Sequence, residues 1–96
     1  ENNKFEKEIK NLLIFKKALF QSNFVDELEM LEVTKPLINT ETVWKPHALL
    51  LLGDYFVSKK EYIKAIEFYQ EIFTMNNLQQ DLYNHARSQL AIISNE

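Results

Sequence analysis

Residues 48 to 73 decide the fold: Ala-Leu-Leu-Leu-Leu-Gly-Asp-Tyr-Phe-Val-Ser-Lys-Lys-Glu-Tyr-Ile-Lys-Ala-Ile-Glu-Phe-Tyr-Gln-Glu-Ile-Phe. Two apolar runs flank a polar break at Ser58-Lys59-Lys60. Before the break, Ala48, Leu51 or Leu52, and Tyr55 or Phe56 recur at helical spacing. After it, Tyr62, Ala65, Ile66, Tyr69, Ile72 and Phe73 do the same. The pattern predicts two antiparallel helices joined by a short turn. Gly53 lies inside the first helix, where Gly is less favourable than Ala by about 1 kcal/mol. A packing reason must offset that loss. Gly53 and Ala65, both small, are placed where the two helices cross, so that their backbones can approach closely.

Outward from this hairpin the chain continues in helices. Residues 4 to 20 place Phe5, Ile9, Leu12, Leu13 and Leu19 or Phe20 at helical spacing, with Lys4, Lys7, Lys10 and Lys17 mostly elsewhere. Gln21-Ser22-Asn23 breaks that helix. A second helix is expected to carry Phe24, Leu28 and Leu31 on one face and to end or kink near Thr34, because Pro36 removes a backbone donor. Its acidic start complements the positive end of the helix dipole. Asn39-Thr40-Glu41-Thr42 reads as a loop, with Thr42 as N-cap of the third helix and Pro46 in its first turn. Met75-Asn76-Asn77 is a further turn, and a last helix over about 79 to 94 aligns Leu82, Ala86, Leu90 and Ile93.

Composition agrees with an all-α domain. The 96 residues are 46% hydrophobic and 26% charged, with one Gly and two Pro, too few turn formers for a sheet-rich fold. With no Cys there is neither a disulfide nor a thiolate metal site. A net charge of -3, with ten of eleven basic residues Lys, gives no electrostatic footprint for nucleic acid. No run approaches the roughly 18 apolar residues of a membrane span. The chain starts at Glu1 rather than Met, which points to a piece of a longer protein.

The hairpin resembles a tetratricopeptide repeat (TPR). Leu52, Gly53 and Phe56 match the Leu, Gly and Tyr of that repeat's first helix, and Tyr62, Ala65, Ile66 and Tyr69 match its second. Two positions depart: Lys60 stands where the repeat usually has Gly, and Asn77 where Pro commonly ends it. Residues 8 to 35 overlay 46 to 73 with Phe24 on Tyr62, Leu28 on Ile66 and Leu31 on Tyr69, but Phe15 and Glu27 replace the small residues. The last helix repeats the first-helix pattern and has no partner, as a terminal cap does. The resemblance implies an all-α fold of five helices and about two and a half repeats: hairpin 4–35, hairpin 43–74 and capping helix 79–94 within one domain, 1–96.

A narrower similarity covers most of the chain. Pro36-Leu37, Trp44-Lys45-Pro46-x-Ala48, the hairpin and Ala86-Arg87-x-x-Leu90-Ala91 look like the C-terminal part of YfgM-type TPR-like proteins. That similarity implies the periplasmic domain of an inner-membrane-anchored bacterial protein, ancillary to the translocation channel, with translocon subunits or periplasmic chaperones as partners. A cytoplasmic TPR adaptor, or an accessory domain of a larger protein, is the alternative.

By analogy with such arrays, the first helix of each repeat lines a concave partner-binding face. Here that face would be His47, Leu50, Asp54 and Val57, extended by Asp81, Asn84 and Ser88. Leu50 and Asp54 stand where carboxylate-clamp adaptors carry cationic and amide groups, so a clamp is disfavoured. Other chemistry finds little support. Asp81 and His85, four apart, could share a metal, but two ligands do not make a site, and an exposed pair is the simpler reading. His47 has no acidic residue at ligand spacing and reads as a surface or groove histidine. Glu67 and Glu71 read as a solvated stripe beside Lys64. There is no Gly-rich phosphate loop, nucleophile elbow or zinc-protease motif. The expectation is a non-enzymatic module without metal or cofactor, binding a protein or peptide and not nucleic acid. This segment would not itself insert into a membrane, and its seven Phe, four Tyr and one Trp motivate a separate hypothesis of self-association.

Overall fold

The computed structural model describes residues 2–39, 41–76 and 78–94, with residues 2 and 3 as backbone only. It is all-helical, with no strand among the described residues: α1 (Asn2–Gln21), α2 (Glu27–Ile38), α3 (Lys45–Ser58), α4 (Tyr62–Ile72) and α5 (Gln80–Ser94). The chain forms two compact units, Glu1–Ala48 and Leu49–Glu96, with α3 beginning in the first and continuing into the second. No described helix is long and apolar enough to cross a membrane.

In the first unit α1 packs against α2. The α2 start is set by Asp26, whose carboxylate accepts a hydrogen bond from the Glu29 amide at 2.9 Å, with Glu27 and Glu29 in the first turn. This cap starts the helix later than the apolar pattern suggests. The buried face of α2 is therefore Met30, Thr34 and Leu37, not Phe24, Leu28 and Leu31. Phe24 lies in the preceding turn and is exposed, as is Leu28, while Leu31 is half-buried. Thr34 can be buried because its hydroxyl donates to the Met30 carbonyl at 2.9 Å.

Pro36 does not end α2 near Thr34; the helix runs through it to Ile38. A residue at 36 with an amide proton would bond the Glu32 carbonyl. Glu32 and Pro36 both lie on the exposed edge, where water can satisfy that carbonyl. Thr42 is not an N-cap either. Its hydroxyl donates to the Leu37 carbonyl at 3.2 Å, closing the end of α2, and α3 starts at Lys45. Pro46 is in the first turn of α3, where its missing donor costs nothing. Thr40 of this loop lies outside the described residues.

α1 departs most from expectation. Its buried residue is Ala18, with Asn11, Leu12, Ile14 and Phe15 half-buried. Phe5, Ile9, Leu13, Leu19 and Phe20 are all exposed. The packed side of α1 is thus nearly opposite its strongest apolar stripe.

In the second unit the core is Leu49, Leu52, Tyr55 and Phe56 from α3, Ala65, Tyr69 and Ile72 from α4, and Leu82, Ala86 and Ile93 from α5. Helices α3 and α4 meet closely at Gly53, where an added Cβ would lie 2.7 Å from two atoms of the Tyr69 ring. Phe56 and Phe68 stack with centroids 5.6 Å apart. Between these helices the Glu61 amide bonds the Phe56 carbonyl and the Lys60 amide bonds the Val57 carbonyl, with Lys60 at φ 61°. This is the Schellman arrangement, in which glycine is the usual residue. α4 and α5 pack antiparallel: Phe73 meets Tyr83 near one end, and Tyr69 meets Gln89 farther along. Asn77 lies outside the described residues.

Candidate functional site

Asp54 is the one carboxylate in an otherwise largely apolar α3, and in the fold it gains two donors. The buried Tyr69 hydroxyl donates to Asp54 Oδ1, and accepts from Gln89 Nε2 at 3.4 Å. His85 Nε2 lies 3.2 and 3.1 Å from the two Asp54 carboxylate oxygens. A carboxylate accepts only, so Nε2 carries the proton in this contact. Burial, and then the hydrogen bond to Asp54, push the Tyr69 pKa upward, so the phenol stays a neutral donor. Three helices are thereby tied at a half-exposed polar spot. Tyr69 anchors it from beneath, and His85 and Asp54 face outward.

The residues expected on a concave face are distributed as follows. Asp54 is at the centre of the cluster, and Leu50 and Val57 on the same helix are half-buried. Asp81, Asn84 and Ser88 are exposed on α5, within one turn of His85. Asn84 accepts a hydrogen bond from Gln80 at 2.9 Å. His47 belongs to the first unit and is not an open surface histidine. Its ring sits against Trp44 and Phe15, with centroids 5.0 and 5.9 Å away, and Trp44 itself stacks on Phe15 at 5.5 Å. Burial lowers the His47 pKa, partly opposed by the Val43 backbone carbonyl, and Nδ1 has no hydrogen-bond partner among the described residues.

Sequence reasoning placed Asp54 on the binding face but paired His85 with Asp81 along one helix, and missed the contact of His85 with Asp54, 31 residues away. The available signal was Asp54 itself, since a carboxylate amid Leu, Gly, Tyr and Phe needs donors from a neighbouring element. Among the described residues no group of three His, Cys, Asp or Glu side chains converges as a metal site. His85 and the Tyr69 hydroxyl thus share one acceptor, the Asp54 carboxylate. Comparison of the chain with protein-family models, characterised proteins and solved structures returns no match.

Proposed function

We propose that this chain is a TPR-like, non-catalytic protein-interaction module, and that it recognises a protein segment through the α3–α5 face around Asp54 and His85. The close crossing of Gly53 on Tyr69 carries the reading, because it gives the lone helical glycine the role the repeat assigns to it. The left-handed turn at Lys60 and the antiparallel cap α5 support the same assignment. Around the Asp54–His85 pair, exposed Asp81, Asn84 and Ser88 and half-buried Leu50 and Val57 offer mixed polar and apolar contacts. Such a face suits an extended or helical peptide better than a carboxyl terminus. By its similarity to YfgM-type proteins, the module belongs to the periplasmic part of a membrane-anchored protein and works beside the translocation machinery.

A photo-crosslinking residue placed at Val57, Asn84 or Ser88 of the full-length protein in cells tests the face, with exposed Glu67 on α4 as control. Protein adducts from the first three positions and none from Glu67 are expected. Equal labelling everywhere, or none at the face, would rule it out. Protease added to fractionated cells tests the location separately. Digestion once the outer membrane is opened, with the inner membrane sealed, is expected; digestion only after lysis refutes the periplasmic placement.

A further inference from the structure

The first unit leaves a continuous apolar ladder uncovered. Phe5, Ile9, Leu13 and Phe20 fall within a quarter of the α1 circumference at 3.6 residues per turn, Leu19 adjoins them, and the Phe24 ring lies 6.0 Å from that of Phe20. Exposures run from 43% for Ile9 to 76% for Phe24. At roughly 150–250 Å² for a whole aromatic side chain, the six together expose about 700 Å². Monomers seldom show an apolar patch above roughly 300–600 Å². A standard interface takes about 800 Å² from each partner.

We propose that a second copy of this chain covers the ladder, with α1 packing antiparallel on the α1 of its partner about a two-fold axis. An isologous contact needs a self-complementary surface, and α1 provides one. Setting Phe5 of one copy opposite Phe20 of the other places Leu12 and Leu13 at the axis. Glu6 and Lys17 lie on the same flank of the ladder at 3.6 residues per turn, so in this register Glu6 of each copy comes within about two residues of the other's Lys17. Lys16, inside the ladder, falls opposite Ile9 of the other copy, where its stem covers apolar surface and its ammonium reaches the edge. A lipid surface fits less well. Glu6 borders the ladder, and on the Lys17 flank a separate groove lined by Lys17, Gln21 and Leu28 carries Glu29 and Glu32 of α2, which anionic headgroups would repel.

Sedimentation equilibrium of the whole chain from about 1 µM to 500 µM tests the inference. A concentration-dependent rise from 11.4 kDa to twice that mass is expected. Leu13→Glu, at an exposed position, should weaken the dimer at least tenfold while the circular dichroism stays unchanged. Glu6→Lys should weaken it several-fold, and adding Lys17→Glu should restore it. A monomer at every concentration overturns the proposal, as does a dimer indifferent to Leu13→Glu or to the charge swap. So does a monomer that cosediments with phosphatidylglycerol vesicles, since the ladder would then face lipid.

Discussion

Replacing Gly53 by Ala sets two opposing effects against each other. Ala is favoured over Gly inside a helix by about 1 kcal/mol, so at an open helical position the variant would be more stable. Gly53 is not open. The new methyl would lie 2.7 Å from Cδ1 and Cζ of Tyr69. Carbon atoms in good contact sit about 3.5–4.0 Å apart, so the ring would have to retreat by about 1 Å. Its room to do so is small, because Tyr69 is fully buried and its hydroxyl is held by Asp54 and Gln89. Overpacking of this kind costs about 1–3 kcal/mol, and a pinned ring belongs at the upper end. After the propensity gain, the net expectation is a loss of about 2 kcal/mol. For a chain of this size that is a fall in Tm of roughly 8–16 °C. Urea melts followed by circular dichroism measure it. A second arm isolates the cause: in a Tyr69→Leu background the ring is absent, and Gly53→Ala should cost at least 1 kcal/mol less. A Gly53→Ala protein as stable as the parent, or an equal loss in both backgrounds, would show that this crossing does not constrain the hairpin.

Two further perturbations follow from local geometry. Lys60→Gly relieves a left-handed residue at φ 61°, worth about 1–2 kcal/mol, against about 0.4–1 kcal/mol of added unfolded-state entropy. The melt should rise by about 0.5–1 kcal/mol, and a lower Tm would contradict the turn geometry. His47 is shifted downward from 6.5 by burial, so the unfolded chain takes up the proton first, and stability falls as the pH drops below about 6.5. Melts from pH 8 to 5 should show a shallower acid-side decline for His47→Gln than for the parent; parallel curves would mean that His47 is not buried as a neutral ring.

The helical class and most of the second unit were legible because each helix there carries its buried residues at one period. Ala65, Tyr69, Ile72, Leu82, Ala86 and Ile93 are core where the pattern places them, whereas Tyr62, Ile66 and Leu90 are only half-buried and Phe73, just past the end of α4, is exposed. α1 and α2 were misread for two physical reasons. In α2 the buried stripe includes Thr34, whose polarity hides it from an apolar count although its hydroxyl is satisfied within the helix. In α1 there are apolar residues on more than one side, and periodicity alone does not say which side meets a neighbour. Pro36 and Thr42 show a related limit. Whether a lost donor matters, or which carbonyl a hydroxyl reaches, depends on solvent and on a strand of chain several residues away. The candidate site was half legible. Residues of the exposed α5 face follow from amphipathicity, whereas the Asp54–His85 contact joins elements that no local pattern connects.

That contact also makes stability and recognition inseparable at Asp54. The carboxylate that faces outward with His85 is the same group that holds the Tyr69 hydroxyl, and Tyr69 is the ring on which Gly53 rests. Removing Asp54 would leave a buried phenol short of its acceptor and loosen the crossing before any partner is considered. A loss of binding in an Asp54 variant therefore has two explanations, whereas a loss in Ser88 or Asp81 variants has one, because those side chains project from α5 without supporting the core. His85 lies between the two cases: half-exposed, it touches Asp54 but takes no part in the Tyr69–Asp54 bond, which its replacement should leave in place. The order in which these positions lose partner binding and thermal stability separates a face built for recognition from a polar clasp that only closes the fold. Recognition requires Ser88 and Asp81 to affect binding at unchanged Tm, and a clasp requires every effect to follow Asp54 and Tyr69.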